Sequence, residues 1–334
     1  MKELTHCPST LAAGYTTYSP MACRRLFAGK RVSHMMKFNY DENEYAAIVE
    51  NTVRISVSGV QEKLSAVEED GFIRLAAKGE QGRYILKPAP DNKALRDRKQ
   101  IPANEHLTMQ IARQIYRIPT AENGMIFFAD GMPAYITRRF DFLSDGTKIP
   151  QEDFASLVGK TAETDGKDFK YAGSYARIAQ AIKCYVPAWQ VEMGKFFTLV
   201  VFNYAFANGD AHLKNFSLKQ SPDGDYLLAP AYDLMNTSLH TNDGDFALEE
   251  GLSPTLEKSD IYLQKGHPCQ DDFARFGEDI GLPERQVRKL LAPFLQEQPK
   301  VLELVSASFL EEKQKRMYLN CYRERLKRLQ RREE

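Results

Sequence analysis

Residues 208–215 read Asn208-Gly209-Asp210-Ala211-His212-Leu213-Lys214-Asn215, and eighteen residues beyond Asn215 the chain reaches Asp233 in Ala231-Tyr232-Asp233. An aspartate, an asparagine five residues on and a second aspartate after a short excursion are a working set for phosphoryl transfer. The first carboxylate can take the proton of an attacking hydroxyl. The asparagine and the later aspartate can hold Mg²⁺ against nucleotide phosphates. Upstream, the apolar stripe Phe196, Phe197, Val200, Val201 and Tyr204 predicts a helix that delivers the loop. Phe216-Ser217-Leu218 and Tyr226-Leu227-Leu228 predict a hairpin between the two metal ligands. Asn, Gly and Asp are also ordinary turn formers, so Asn-Gly-Asp by itself fits a plain turn after a helix. The spacing to Asp233 and a lysine far upstream favour the chemistry.

The composition leaves room for such an enzyme and closes other routes. At 334 residues the chain can bury two cores. Its 45 basic and 45 acidic residues cancel, so no bulk charge draws it to nucleic acid or an anionic membrane. No apolar run reaches membrane-spanning length, and no signal-peptide pattern opens the chain. Five scattered cysteines, an odd number, suit a reducing compartment and a cytoplasmic location.

Residues 1–50 carry no deciding pattern. His6, Cys7, Cys23 and His34 are possible metal ligands, but no CxxC pair accompanies them, and buried or free thiols explain them as well. From Arg54 the pattern becomes regular: Arg54 to Leu64 alternates around Gly59, Asp70-Gly71 marks a turn, and Phe72–Leu75 and Tyr84–Pro88 read as strands. A glycine-bearing turn and Lys87 near the end of the last strand suit a phosphate-covering sheet, although a lysine at a strand end is more often simply solvated. Pro102, then Leu107, Ile111 and Ile115, predict a helix. Glu105 near its start suits the helix dipole or a pairing with Lys87. Ala134 to Asp141 reads as a strand leading into a hinge. Beyond it lie a short helix at 152–158, a polar loop at 161–173, helices at 174–185 and 190–207, and a loop-rich stretch at 237–270. A last helix is expected from about Ser308 to Arg332, with Leu310, Met317, Cys321 and Leu329 inward and a basic outer face.

Taken together, Ile55-Ser56-Val57-Ser58-Gly59-Val60-Gln61-Glu62-Lys63-Leu64, Ile85–Pro88, Asn104-Glu105, Arg139–Asp141, Asn208–Phe216 and Ala231–Asp233 resemble the HipA-type serine/threonine kinases, toxins of bacterial toxin–antitoxin modules. The matches fall in family order across residues 54–234. The resemblance implies an α+β, bilobal protein-kinase-like fold. A small β-rich lobe with one helix would occupy 51–142, a mainly α-helical lobe 143–334, and residues 1–50 would form a segment of unassigned role. It implies ATP and Mg²⁺ as cofactors, with Asp210 as catalytic base and Asn215 and Asp233 on the metal. Lys87, supported by Glu105, would meet the nucleotide together with Gly59, Val60, Gln61, Lys63, Arg138, Phe140, His212, Lys214 and Tyr232. Ser56 and Ser58 would be autophosphorylation sites that silence the enzyme.

The implied activity is phosphorylation of a protein serine or threonine, such as one on an aminoacyl-tRNA synthetase, halting growth. Implied partners are a HipB-like DNA-binding antitoxin or a HipS-like small N-subdomain protein, with nucleic acid met only through the antitoxin and no membrane. About fifty residues precede the phosphate loop where longer relatives have about a hundred, which resembles the short HipT-like branch. The loop has one glycine, and no His-Arg-Asp precedes Asn215, so control by an ordinary kinase activation loop is not expected. Two alternatives stand beside this reading: a small-molecule kinase of the aminoglycoside-phosphotransferase type, which shares the Gly-Asp-x-His-x-x-Asn logic, and a non-catalytic kinase-like binding protein.

Overall fold

A computed structural model of the chain describes residues 3–40, 54–56, 61–143 and 145–333. Alternating strands build its main sheet: β1 Arg54–Ser56, β2 Lys63–Glu69, β3 Phe72–Leu75, β4 Tyr84–Pro88, β5 Asn123–Phe127 and β6 Pro133–Arg138. Their order is β1-β2-β4-β6-β5, with β3 also on β2, and every pairing is antiparallel. The expected turn between β2 and β3 is present, with both Asp70 (φ 50°) and Gly71 (φ 78°) left-handed, as a two-residue hairpin turn requires.

Strand alternation sorts side chains onto two faces. Leu64, Ala66, Ile73, Leu86, Ile126, Ala134 and Ile136 face one way and are covered by Cys7, Tyr18, Ala22, Leu26, Phe27 and Met36. Residues 3–40, within the stretch that the sequence left unassigned, are therefore the outer cover of the sheet, with the short helix Pro20–Leu26 among them. Strand β5 was not expected from the sequence, because a glycine interrupts its apolar run. That glycine is needed for packing: a Cβ on Gly124 would sit 3.1 Å from the Leu26 side chain and 3.3 Å from the Pro8 carbonyl.

On the opposite face Lys87 lies across from Tyr135 in the β4–β6 register, beside Met125 and Phe127. There the helix Ile101–Gln114 packs, with Pro in its first turn and nearly every side chain buried. It is also fixed from behind. Tyr318 shares a 2.9 Å hydrogen bond with Thr108, and Phe309 rests against both His106 and Phe127.

The remainder is mainly helical. The helix Trp189–Ala205 runs through its middle, burying Phe196, Phe197, Val200, Val201 and Tyr204, each buried aromatic contributing about 2–3 kcal/mol. Against it pack the helices Tyr175–Tyr185, Gln270–Asp279 and Glu284–Leu291, while Pro299–Ala307 packs on the helix Ile101–Gln114. The expected hairpin forms as β8 Ser217–Gln220 and β9 Tyr226–Leu228.

Three expectations are corrected. Residues 152–158 do not begin as helix: Gln151–Asp153 pairs with β8 as strand β7, and Asp153 then caps the short helix Phe154–Leu157 through the Ser156 amide. The final helix is shorter than expected, Glu312–Leu329, because a break at 308–311 separates it from Pro299–Ala307. Nor is its basic side wholly outward. Arg325 is buried against Asp245, with Arg328 beside it, and its guanidinium lies 4.8 Å from the centre of the Tyr204 ring.

Candidate active site

The loop after Trp189–Ala205 is held by its own polar residues. The Asn208 amide donates to Asn203 Oδ1 at 2.8 Å, and the Gly209 amide donates to Thr237 Oγ1 at 2.9 Å. Gly209 has no room for a side chain, since a Cβ there would come within 2.4 Å of Asp243 Cβ and 2.8 Å of the Gly244 carbonyl. The next residue, Asp210, is thereby set at the edge of a cavity of about 310 Å³. The same cavity is lined by Gln61, Lys63, Lys87, Glu105, His212, Lys214, Asn215, Tyr232 and Asp233. These ten residues, drawn from five separate stretches of chain, were all site candidates in the sequence.

Two of the sequence candidates lie elsewhere. Arg138 points away and donates to the Arg25 carbonyl at 3.2 Å, because its position in β6 puts it on the side covered by the N-terminal segment. Phe140 stands one layer back, its ring 5.8 Å from that of Tyr232. Ser56 is described only as backbone, opposite Lys63 in the β1–β2 register, while Ser58, Gly59 and Val60 fall outside the described residues.

At the inner end of the cavity stands a charged quartet. Lys87 Nζ lies 2.6 Å from Glu105 Oε1 and also contacts Asp233 Oδ1; Lys63 Nζ lies 2.8 Å from Asp233 Oδ2. Lys87 and Glu105 are each 3% exposed, so neither ion is screened by water and each depends on its partner. Burial would raise Asp233, but Lys63 and Lys87 hold it well below the usual carboxylate range. Burial likewise works against charge on Lys87, and Asp233 with Glu105 raises it above the ordinary lysine value. Burial pushes Glu105 up, with Lys87 opposing. Asp233 sits at φ 56°, a left-handed conformation that a non-glycine residue rarely adopts. Three residues on, the backbone is clamped at Asn236: Asn104 Nδ2 donates to the Asn236 carbonyl at 2.8 Å while Asn104 Oδ1 accepts from its amide at 3.1 Å.

At the outer end is Asp210. The Tyr171 hydroxyl donates to its Oδ1 at 2.8 Å, and Asn215 Nδ2 donates to its backbone carbonyl at 3.1 Å. Burial raises the Asp210 carboxyl, with Tyr171 and Lys170 working against it. His212 is 7% exposed; burial, helped by Lys170, pushes it down to about 3, so its imidazole is neutral at physiological pH. Tyr171, Lys170 and Thr237 were missed in the sequence, and Asn208 was read as part of the motif without a role of its own. The first two lie in a polar loop without periodicity, and only their contacts reveal them.

The donor set fits Mg²⁺. The amide nitrogen of Asn215 is engaged, which leaves its Oδ1 as the free end, and Asp233 supplies carboxylate oxygen in the same cavity. Two hard oxygen donors are too few for a stand-alone site and are what a metal shared with phosphates uses. No three His, Cys, Asp or Glu side chains converge on a metal-sized point among the described residues.

The fold and this arrangement define a phosphoryl-transfer scaffold, and comparison with known proteins gives it a family. The HipA-like C-terminal domain matches residues 55–302, and the chain belongs to that family of HipA-like kinases. A Haemophilus influenzae protein named as a presumptive kinase is 32% identical over 288 residues, covering 81% of each chain. The Sinorhizobium fredii protein Y4dM, named likewise, is 31% identical over 72% of this chain and 58% of its own length. Among solved structures, the Shewanella oneidensis HipA toxin, determined with HipB and operator DNA, superposes with TM-score 0.60 at 20% identity. That match covers 82% of this chain and 64% of the toxin chain. The Helicobacter pylori proinflammatory kinase CtkA superposes with TM-score 0.51 at 14% identity, covering 83% and 95%. At these identities the structural likeness concerns the α+β kinase-like fold. No helix among the described residues is long and apolar enough to cross a membrane.

Proposed function

We propose that the protein is an ATP- and Mg²⁺-dependent serine/threonine protein kinase that acts as the toxin of a toxin–antitoxin module. The observation that carries the reading is the convergence of Asp210, Asn215, Asp233 and the Lys87–Glu105 pair on one cavity. In this reading Asp210 accepts the proton of the acceptor hydroxyl, and burial keeps its carboxylate poorly hydrated and ready to do so. Lys87, oriented by Glu105, pairs with nucleotide phosphate as a point charge. Asn215 and Asp233 hold the metal, which when bound neutralises charge on the transferring phosphoryl group. His212, being neutral, adds no charge beside the base.

The likeness to a toxin bound to HipB and DNA supports a DNA-binding antitoxin as partner. The family resemblance supports a component of translation, such as an aminoacyl-tRNA synthetase, as substrate, and Ser56 or Ser58 as sites of self-phosphorylation. The test is the intact mass of purified protein after incubation with ATP and Mg²⁺, beside Asp210→Asn. Gain of one or two phosphates by the wild type alone, mapping to Ser56 or Ser58, is expected. A protein that binds ATP, starts unphosphorylated and gains nothing would refute the kinase reading.

A further inference from the structure

The carboxylate assigned to the metal is already doubly occupied. Asp233 gives one oxygen to Lys87 and the other to Lys63, which approaches to 2.8 Å. The two ammonium groups differ in freedom. The Lys87 side chain is 4% exposed and is also tied to Glu105, whereas the Lys63 side chain is 23% exposed and has Asp233 as its ion-pair partner. Lys63 opens β2 and is itself among the residues that the family resemblance assigns to the phosphate loop.

A bare divalent cation that approaches Asp233 meets two positive charges at contact distance and must displace one of them. A metal–nucleotide complex carries net negative charge. Its phosphates give Lys63 a new anionic partner at the moment the carboxylate is released. We propose that Lys63 is a selectivity residue that closes Asp233 to free divalent cations, so that metal is admitted only together with polyphosphate. This rests on reading the cavity as a nucleotide and metal site and adds an order of binding to it. One consequence is that cellular free Mg²⁺ does not load the empty enzyme.

The test uses Mn²⁺ as a paramagnetic stand-in for Mg²⁺, counted by its free-ion resonance, with and without the ATP analogue adenylyl imidodiphosphate. Binding of the analogue in EDTA is followed separately by calorimetry. Wild-type protein is expected to bind Mn²⁺ alone at least tenfold more weakly than with the analogue. Lys63→Met should gain at least tenfold in affinity for Mn²⁺ alone, and adding Asp233→Asn to it should abolish the gain. In wild-type protein that calorimetry shows to bind the analogue, equal Mn²⁺ affinity with and without it would overturn the proposal, as would no gain in Lys63→Met. Should Lys63→Met lose its native circular dichroism, Lys63→Gln replaces it with the same expectation. The broader reading fails separately: if the analogue does not bind in any form, the cavity is not a nucleotide site. A Mn²⁺ gain in Lys63→Met that is lost with Asp233→Asn would still establish the closure.

Discussion

Tyr171 gives the one side-chain hydrogen bond that the Asp210 carboxylate receives among the described residues, at 2.8 Å. Its hydroxyl occupies Oδ1 and leaves Oδ2 for an incoming hydroxyl. Hydrogen bonds to charged groups contribute about 1.5–3 kcal/mol, so losing this one in Tyr171→Phe should slow phosphoryl transfer roughly tenfold. Nucleotide affinity, measured by calorimetry, should stay unchanged, because the hydroxyl bonds to the Asp210 carboxylate and to none of the side chains assigned to the nucleotide. If the hydroxyl merely blocked the site, the variant would be faster. At this scale the sequence was most informative where a residue's role depends on spacing within a short stretch. Asp210, Asn215 and Asp233 were legible for that reason. Tyr171 was not, because its partner lies 39 residues away and nothing local marks it.

The helix Ile101–Gln114 shows what an element adds. Glu105 faces the site, Asn104 clamps the backbone after Asp233, and His106 donates from its other side toward the N-terminal segment, reaching the Ser9 carbonyl at 2.9 Å. Three consecutive residues thus serve three directions, as helical geometry spreads them by about 100° each. Burial pushes His106 down to about 4, so the folded protein holds it neutral while the unfolded chain protonates it below about 6.5. The folded value being the lower one, its contribution is present above pH 6.5 and is lost as the pH falls toward 4. In His106→Gln the loss of stability between pH 7 and pH 4.5, measured by urea unfolding, should be smaller by roughly 2–3 kcal/mol. The helix itself was legible from Pro102 and its apolar spacing. Its burial on nearly all sides was not, because the partners arrive from residues 9, 236 and 318.

For the molecule as a whole, the C-terminal helix does more than add bulk. Arg325 reaches from it to Asp245, in the loop-rich stretch that also backs Gly209 through Asp243. Arg325→Met should destabilise the protein by about 2 kcal/mol in urea unfolding. This is less than the usual cost of a one-sided break, because Arg328 and His267 remain on Asp245. The sequence could not assign this arginine: a run of Lys and Arg on a helix reads as solvated face until a carboxylate from another segment is placed beneath it. The same applies to residues 3–40, whose apolar side chains are too irregular to announce the sheet they cover.

The bond between Thr108 and Tyr318, together with Phe309 wedged against His106 and Phe127, has a consequence for regulation. Many kinases are switched off by swinging the glutamate-bearing helix outward, which breaks its pair with the lysine. Here that helix is bolted at its back to the far end of the chain, so such a rotation would tear open the core. An inhibitor or partner that prised Glu105 from Lys87 by moving this helix would also have to break the Thr108–Tyr318 bond and the Phe309 packing.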